Sequence, residues 1–263
     1  MEENIIMIAC LKNDFKRALN SKNTLLAIII STIFYIIGLY DVIDFVRFDL
    51  REFRDVYDAI DMFINIRVSY LALVIPIIAS LPFSASYIMD IETGYLKFIY
   101  SRMSKRKYLV VRTLTNSLIS GIVILISSVF IFIVLFFIFG INYNSKFNEV
   151  SSVWISLYFY DKVYYFLFLL IMSFIFNVAF STLSLGLSPY LKNKYLTILS
   201  SFIYYVISAT IFISLHLYKF NAVLLFHLEY LTIGQILLYD FALITIGTIL
   251  FYIGVQYKNE DNI

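Results

Sequence analysis

The sequence predicts an all-α integral membrane protein with six transmembrane helices, in which residues 1–263 form a single transmembrane domain. Of the 263 residues, 61% are hydrophobic and 14% are charged, and the mean hydropathy is +0.86. These values exclude a water-soluble globule of this length. A helix crosses the hydrocarbon core with about 20 apolar residues, because its backbone must satisfy its own hydrogen bonds there. The runs that meet this requirement are 23–40, 68–89, 118–140, 163–187, 195–217 and 236–257.

Two other interpretations of the apolar runs fit poorly. A transmembrane β-barrel needs segments of about ten residues that alternate polar and apolar side chains, and the run ISGIVILISSVFIFIVLFFIFG does not alternate. A cleaved signal peptide is disfavoured because the first run starts late, follows Glu2 and Glu3, and has no small-residue cleavage site after it.

Residues 1–22, before the first span, predict an amphipathic helix. Apolar residues recur at helical spacing while basic residues cluster elsewhere around the turn. The apolar set is Ile5, Ile8, Leu11, Phe15 and Leu19, and the basic set is Lys12, Lys16 and Arg17. Anionic lipid attracts such a helix by about 1 kcal/mol per basic residue near the surface. The helix therefore serves either as an anchor on the inner leaflet or as an elbow beside a partner's docking surface.

Residues 41–67, between the first two spans, predict an external amphipathic segment. Apolar residues repeat at helical spacing, and ion pairs such as Arg51 with Asp55 and Arg54 with Asp58 would support a helix. A cap on the outside of the membrane is the favoured role, with gating of the substrate as the alternative.

Within the spans, a few residues depart from plain apolar character. Pro76 and Pro82 each remove a backbone hydrogen bond from the second span, which makes both hinge candidates. The fourth span has a small and polar face formed by Asn177, Ser181, Thr182, Ser184 and Gly186. Close helix packing is its favoured role, and lining a substrate path is the alternative. Asp240 is near the outer start of the sixth span, where we expect it to reach lipid headgroups or to cap the helix.

The segment 90–112, DIETGYLKFIYSRMSKRKYLVVR, is a short basic stretch between two membrane-length runs. Its only acidic residues are Asp90 and Glu92, and its basic residues are Lys97, Arg102, Lys105, Arg106, Lys107 and Arg112. Lysine and arginine mark cytoplasmic loops, so this segment and both termini are assigned to the cytoplasm. The basic residues either contact a soluble partner or hold the loop to the anionic leaflet.

Searches of the sequence for catalytic motifs find none. It contains no GxxxxGK[ST] phosphate loop, HExxH zinc helix or GxSxG nucleophile elbow. The single cysteine, Cys10, excludes an intramolecular disulfide and a cysteine-rich metal site. No basic stripe carries the aromatic residues that stack on nucleic acid. We therefore expect no enzymatic activity, no cofactor or metal in this chain, and no nucleic-acid partner.

The chain resembles a permease of the ATP-binding cassette transporter superfamily, type-2 exporter class. The resemblance covers the basic lead-in LKNDFKRALNSKNTLL, the segment after the second span, and the ending with Asp240 and YKNED. In that family the segment carries a glutamate, a glycine and a proline–serine–arginine stretch before a basic residue. Here Glu92, Gly94, Ser104, Lys105 and Arg112 fit the pattern, and Arg102 stands where the proline often does.

The resemblance implies a multi-pass permease of the bacterial plasma membrane that works as a homodimer or heterodimer. Separate cytoplasmic ATPase subunits would bind ATP and Mg²⁺ and dock on the segment 90–112. The implied coupling and docking residues are Glu92, Gly94, Tyr95, Phe98, Arg102, Ser104, Lys105, Arg106, Lys107 and Arg112. Gly94 would permit the change of direction before a short helix.

The spans offer apolar and aromatic walls, and the outer face is acidic. These features favour export of an amphipathic or hydrophobic cargo, with a small cationic peptide or peptide antibiotic as the first choice. Such export would confer resistance to antimicrobial peptides. The alternative from another class is a membrane-bound immunity protein that sequesters a peptide without transporting it.

Overall fold

The computed structural model describes residues 2–46, 57–142 and 155–258, and these residues contain helices, turns and no strand. The helices are α1 (Glu2–Leu19), α2 (Lys22–Val46), α3 (Ala59–Val68), α4 (Tyr70–Ser80), α5 (Ser86–Glu92), α6 (Tyr95–Tyr100), α7 (Lys105–Phe139), α8 (Ile155–Tyr160), α9 (Lys162–Leu187), α10 (Lys194–Ser214), α11 (Val223–His227) and α12 (Ile233–Lys258). A 3-10 turn, Tyr218–Phe220, precedes α11.

Five helices of the described ranges are long and apolar enough to cross a membrane: α2, α7, α9, α10 and α12. The pair formed by α3 and α4 passes the same test and is bent by 71°, which gives up to six crossings. The all-helical, multi-pass character predicted from the sequence is therefore confirmed.

The second span differs from the expected run 68–89. It starts at Ala59, breaks at Ser69 and ends at Ser80, and a turn then leads to α5. The segment 41–67 is consequently divided: α2 continues to Val46, and α3 packs inside the bundle against α2 and α7. Residues 47–56, with the predicted pair Arg51–Asp55 and with Arg54, lie outside the described residues.

The prolines of this span do not coincide with its bend. Pro76 lies inside α4, where its missing N–H would leave the carbonyl of Ala72 without a helical donor. The hydroxyl of Tyr205 donates to that carbonyl at 2.8 Å, and Ser201 Oγ donates to the carbonyl of Pro76 at 3.0 Å. Pro82 lies in the turn after α4. The neighbouring helix α10 thus satisfies the backbone around Pro76, and the 71° bend falls at Ser69 instead.

Helix α9 occupies the centre of the bundle and packs against α4, α7, α10 and α12. Its small residues let the backbones of α9 and α12 approach closely. A Cβ atom added at Gly186 would lie only 2.8 Å from Cα of Gly247 in α12. Helices associate in lipid largely through such close packing, because burial in apolar lipid gives no hydrophobic gain. The packing role predicted for this face of α9 is confirmed.

Helix α7 is the longest described element, with 35 residues. At 1.5 Å per residue it extends about 50 Å, whereas a hydrocarbon core is about 30 Å thick. Helix α1 packs against α7. Asp14 and Ala18 of α1 are buried, whereas Ile8 of the same helix is exposed. The predicted helix within 1–22 is present, and its position on a membrane surface remains a prediction.

Candidate functional site

The segment 90–112 turns sharply between α5 and α6. Gly94 adopts the left-handed conformation at φ 70°, and α6 begins at the next residue. A side chain at this position would meet no atom within 4 Å, so the preference for glycine comes from the backbone angle alone. Ser104 ends the following turn in an extended conformation, and α7 starts at Lys105.

Helix α6 has a buried face and an exposed face. Leu96, Ile99 and Met103 are buried in an apolar cluster with Tyr87, Tyr108, Leu109, Leu185, Phe251 and Val255. On the opposite face Tyr95 and Lys97 are exposed, and the side chain of Phe98 is 70% exposed. The helix therefore packs on α5 and α7, within a cluster that also contains residues of α9 and α12, while it presents aromatic and basic groups outward.

Most of the predicted docking residues lie on this outward surface. Glu92, Tyr95, Phe98, Arg102, Ser104 and Arg106 are exposed, and Gly94, Lys105 and Lys107 are half-buried. Lys105 Nζ lies 5.9 Å from the ring centroid of Tyr100. Arg112 is fully buried. The structure thus separates Arg112 from the other predicted docking residues.

Arg112 belongs to an ionic network at the base of the segment, formed by the buried residues Asp14, Asp90 and Arg112 and by Arg17, whose side chain is 40% exposed. Arg112 Nη2 donates to Asp90 Oδ2 and lies 3.6 Å from Asp14 Oδ2. Arg17 Nη2 donates to Asp90 Oδ1 at 2.9 Å. The hydroxyl of Tyr108 donates to Asp90 Oδ2 at 3.3 Å. The network connects α1, the end of α5 and the first turns of α7.

Aromatic rings and desolvation shape the electrostatics of this network. The guanidinium of Arg112 lies 4.9 Å from the ring centroid of Phe83, and that of Arg17 lies 5.4 Å from the same ring. Burial raises the pKa of Asp14, and the positive charges of Arg112 and Arg17 oppose the rise. The charged form of Asp14 therefore depends on its arginine neighbours.

A cavity of about 400 Å³ adjoins the network between the α1–α2 junction and the turn after α4. Its lining includes Arg17, Lys22, Pro82, Met89 and Asp90. Because the lining mixes both signs of charge with apolar groups, the cavity does not favour a single ligand chemistry.

A second buried ionic cluster lies at the start of α3. Lys162 Nζ donates to Asp58 Oδ2 at 2.9 Å and to Asp61 Oδ2 at 3.1 Å, and the hydroxyl of Tyr158 donates to Asp61 Oδ1. Asp58 also caps α3, because its Oδ1 accepts from the backbone N–H groups of Ile60 and Asp61. The sequence predicts that Asp58 lies in the external segment 41–67, whereas the structure buries it completely. The acidic capping box, with Asp58 three residues before Asp61, was the signal for a helix start here.

Two further buried charges lie within the spans. Arg67, which sequence reasoning placed in the loop before the second span, is 1% exposed. Asp240, expected at the lipid headgroups, is also 1% exposed, and its Oδ1 has no hydrogen-bond partner in the described ranges. A prediction that began the second span at Ala59 would have included Arg67 in that span. No signal in the sequence indicated that Asp240 faces the protein interior.

Among residues 2–46, 57–142 and 155–258, no cluster of histidine, cysteine and carboxylate side chains has the arrangement of a metal site. Comparison of the chain with protein families, with characterised proteins and with solved structures finds no match.

Proposed function

We propose that this chain is the transmembrane permease subunit of an ATP-driven exporter of the ATP-binding cassette superfamily, type-2 class. It moves an amphipathic or hydrophobic cargo out of the cell or membrane, and a small peptide or peptide antibiotic is the first choice. The observation that supports this proposal is helix α6, which is fixed to the bundle on one face and exposes Tyr95, Lys97 and Phe98 on the other.

The anchoring of α6 gives a route by which a docked subunit moves the spans. A partner that binds the exposed face displaces a helix that packs on α5 and α7 and whose buried residues share an apolar cluster with residues of α9 and α12. The ionic network joins α5, the helix before α6, to α1 and α7. Its members are Asp14, Arg17, Asp90 and Arg112. Rigid helices connected in this way transmit a displacement as a change in helix packing.

The proposal assigns ATP and Mg²⁺ to two cytoplasmic ATPase subunits and assigns the second half of the transport path to another copy or a paralogue. Both termini and the segment 90–112 lie in the cytoplasm in this arrangement, and the plasma membrane is bacterial. Membrane lipid covers the remaining apolar surface, which includes the exposed side chains Leu238 and Phe241 of α12.

A pull-down of the tagged chain from its native membrane in mild detergent tests the proposal. We expect mass spectrometry to identify a nucleotide-binding ATPase that lacks its own membrane domain. Absence of any ATPase, under conditions that keep a known transporter intact, would favour the immunity protein that sequesters a peptide, because sequestration needs no exposed coupling helix.

Charge reversal at Lys105, Arg106 and Lys107 is expected to weaken ATPase binding most strongly at low salt. Exposed charges interact over about 10 Å at 0.1 M ionic strength and over shorter distances at higher salt. The measurement is the ATPase recovered with the triple glutamate variant and with wild type across a salt series. Reversal of Lys192, between α9 and α10, and of Lys194, the first residue of α10, is the control for the same kind of charge elsewhere. Equal recovery of the two variants at every salt concentration would remove electrostatic docking from the mechanism.

Replacement of Gly94 by valine is expected to uncouple ATP hydrolysis from export while leaving membrane insertion intact. The left-handed backbone costs about 1–3 kcal/mol for a residue with a side chain, so α6 changes its direction. Gly140 supplies a control elsewhere in the chain, since it also has φ 70° and open space around its Cβ position. Its ψ of −171° is even less compatible with a side chain than the left-handed conformation of Gly94, so Gly140→Val should lower stability at least as much and leave coupling unchanged. Normal export by Gly94→Val would exclude the hinge role.

A further inference from the structure

Arg67 is a buried cation in the interior of the bundle. It lies in the last turn of α3, directly before the 71° break in the span, and its side chain is fully enclosed. Its Nε donates to Ser173 Oγ of α9 at 3.0 Å. The guanidinium packs on Phe226 of α11, 4.1 Å from the ring centroid.

Within the described residues, Arg67 has no carboxylate partner, and its Nη2 atom makes no hydrogen bond. The other buried cations are paired: Arg112 with Asp90 and Asp14, and Lys162 with Asp58 and Asp61. Burial of an unpaired cation is unfavourable, and the contact with Phe226 offsets only part of that cost. Ionisable residues kept within spans usually have a function beyond packing.

The break in the span also starts a new helix shortly after Arg67 in the chain. Helix α4 starts at Tyr70, and Ser69 at its N-cap makes no side-chain hydrogen bond to the first turn. The first N–H groups of a helix and the positive end of its dipole attract anions. Broken helices inside membrane transporters direct such ends at anionic substrate groups.

The charge of Arg67 acts on the groups around it. Tyr35, Tyr165 and Tyr205 are close enough to interact with it electrostatically. Burial lowers the pKa of His227, and the positive charge of Arg67 lowers it further. The neighbours of Arg67 named here are neutral tyrosines and a histidine whose neutral form is favoured. In the described ranges no carboxylate therefore balances the positive charge of Arg67.

We propose that the buried guanidinium of Arg67 forms an oxyanion-binding site within the bundle, between Ser173 of α9 and Phe226 of α11. The occupant is the carboxylate or phosphate group of an amphipathic molecule, whose apolar part lies among the aromatic side chains. Its assignment to the cargo rests on the proposed export function. A peptide would supply its terminal carboxylate, and a lipid-like molecule would supply its phosphate. The entering oxyanion replaces the ring of Phe226 at the guanidinium.

Thermal unfolding of the full chain in neutral detergent tests the site with decanoate, decyl phosphate and uncharged decanol as probes. We expect at least one anionic probe to stabilise the wild type more than decanol does. In Arg67→Met the affinity for that probe should fall by about tenfold or more, while the response to decanol stays unchanged. Lys192→Gln, which removes an exposed cation, should behave like wild type.

Arg67→Met should fold, because methionine suits the apolar surroundings and replaces a cation that has no counterion. If it does not fold, the same assay is made with Arg67→Lys. This variant keeps the positive charge, so it must still be stabilised more by the anionic probe than by decanol. Equal effects of anionic and uncharged probes on the wild type, or on Arg67→Lys, would overturn the proposal, as would an unchanged preference in Arg67→Met. A preference for decanoate indicates a carboxylate cargo, and a preference for decyl phosphate indicates a phosphate cargo.

The assay contains no ATPase, so its outcome is separate from that of the pull-down. Loss of the anion preference together with recovery of an ATPase would overturn the oxyanion site and leave the permease proposal in place. A clear preference without any ATPase would support the site and place it in a binding protein instead of an exporter.

Discussion

Replacement of Gly247 by alanine is expected to lower the free energy of unfolding by about 3 kcal/mol, the upper part of the usual range for overpacked interiors. The added Cβ atom would lie 2.6 Å from the carbonyl oxygen of Thr182 and 2.8 Å from the backbone nitrogen of Leu183. Both are backbone atoms of α9, so no side-chain rotation relieves the contact. Helices α9 and α12 would have to move apart along an interface that depends on close approach.

Gly234→Ala is the matched control, because Gly234 belongs to the same helix and a Cβ atom there meets nothing within 4 Å. Its effect should stay within about 0.5 kcal/mol, as for most exposed substitutions. The measurement is the thermal unfolding of both variants in detergent, monitored by the loss of the monodisperse species. Similar unfolding temperatures for the two variants would contradict the close packing of α9 on α12.

The long apolar runs of the sequence predict most of the bundle, because a membrane-spanning helix needs a continuous apolar stretch that can be recognised locally. The run 118–140 lies almost wholly within α7, and the run 163–187 lies within α9. The start of the second span could not be recognised in this way. Asp58, Asp61 and Arg67 make residues 58–67 resemble a loop, and their partners Lys162 and Ser173 come from α9.

The candidate site also contains residues that a local sequence pattern predicts and residues that it does not. The exposed residues of α6 follow from a basic and aromatic pattern that one short segment contains. Arg112 belongs to the same basic pattern, yet its carboxylate partners Asp14 and Asp90 lie in α1 and α5. Asp240 lies two turns before Gly247 on the same face of α12, and that face packs on α9. Contacts between helices that are distant in sequence determine both positions.

Replacement of Arg112 by glutamine is expected to lower the free energy of unfolding by about 3–5 kcal/mol, the usual cost of removing one partner from a buried ion pair. The variant leaves Asp90 with one ion-pair partner in the described residues, Arg17, beside the hydroxyl of Tyr108, and it removes the ion pair of Asp14 with Arg112. The loss should diminish as the pH falls. Burial raises the pKa of Asp14 in the folded chain, so its charged form destabilises the fold above that pKa, and protonation relieves the effect.

Thermal unfolding of Arg112→Gln, Asp90→Asn and the double variant measures the coupling. Because the two side chains share one ion pair, the double variant should cost less than the sum of the single variants by about 1 kcal/mol or more. Arg106→Gln removes an exposed cation from the same helix and should change stability by less than about 0.5 kcal/mol. If the single effects of Arg112→Gln and Asp90→Asn simply add, the network does not hold α5 to α7. The route from α6 to the spans would then have to run through the apolar cluster around Leu96 and Ile99 alone.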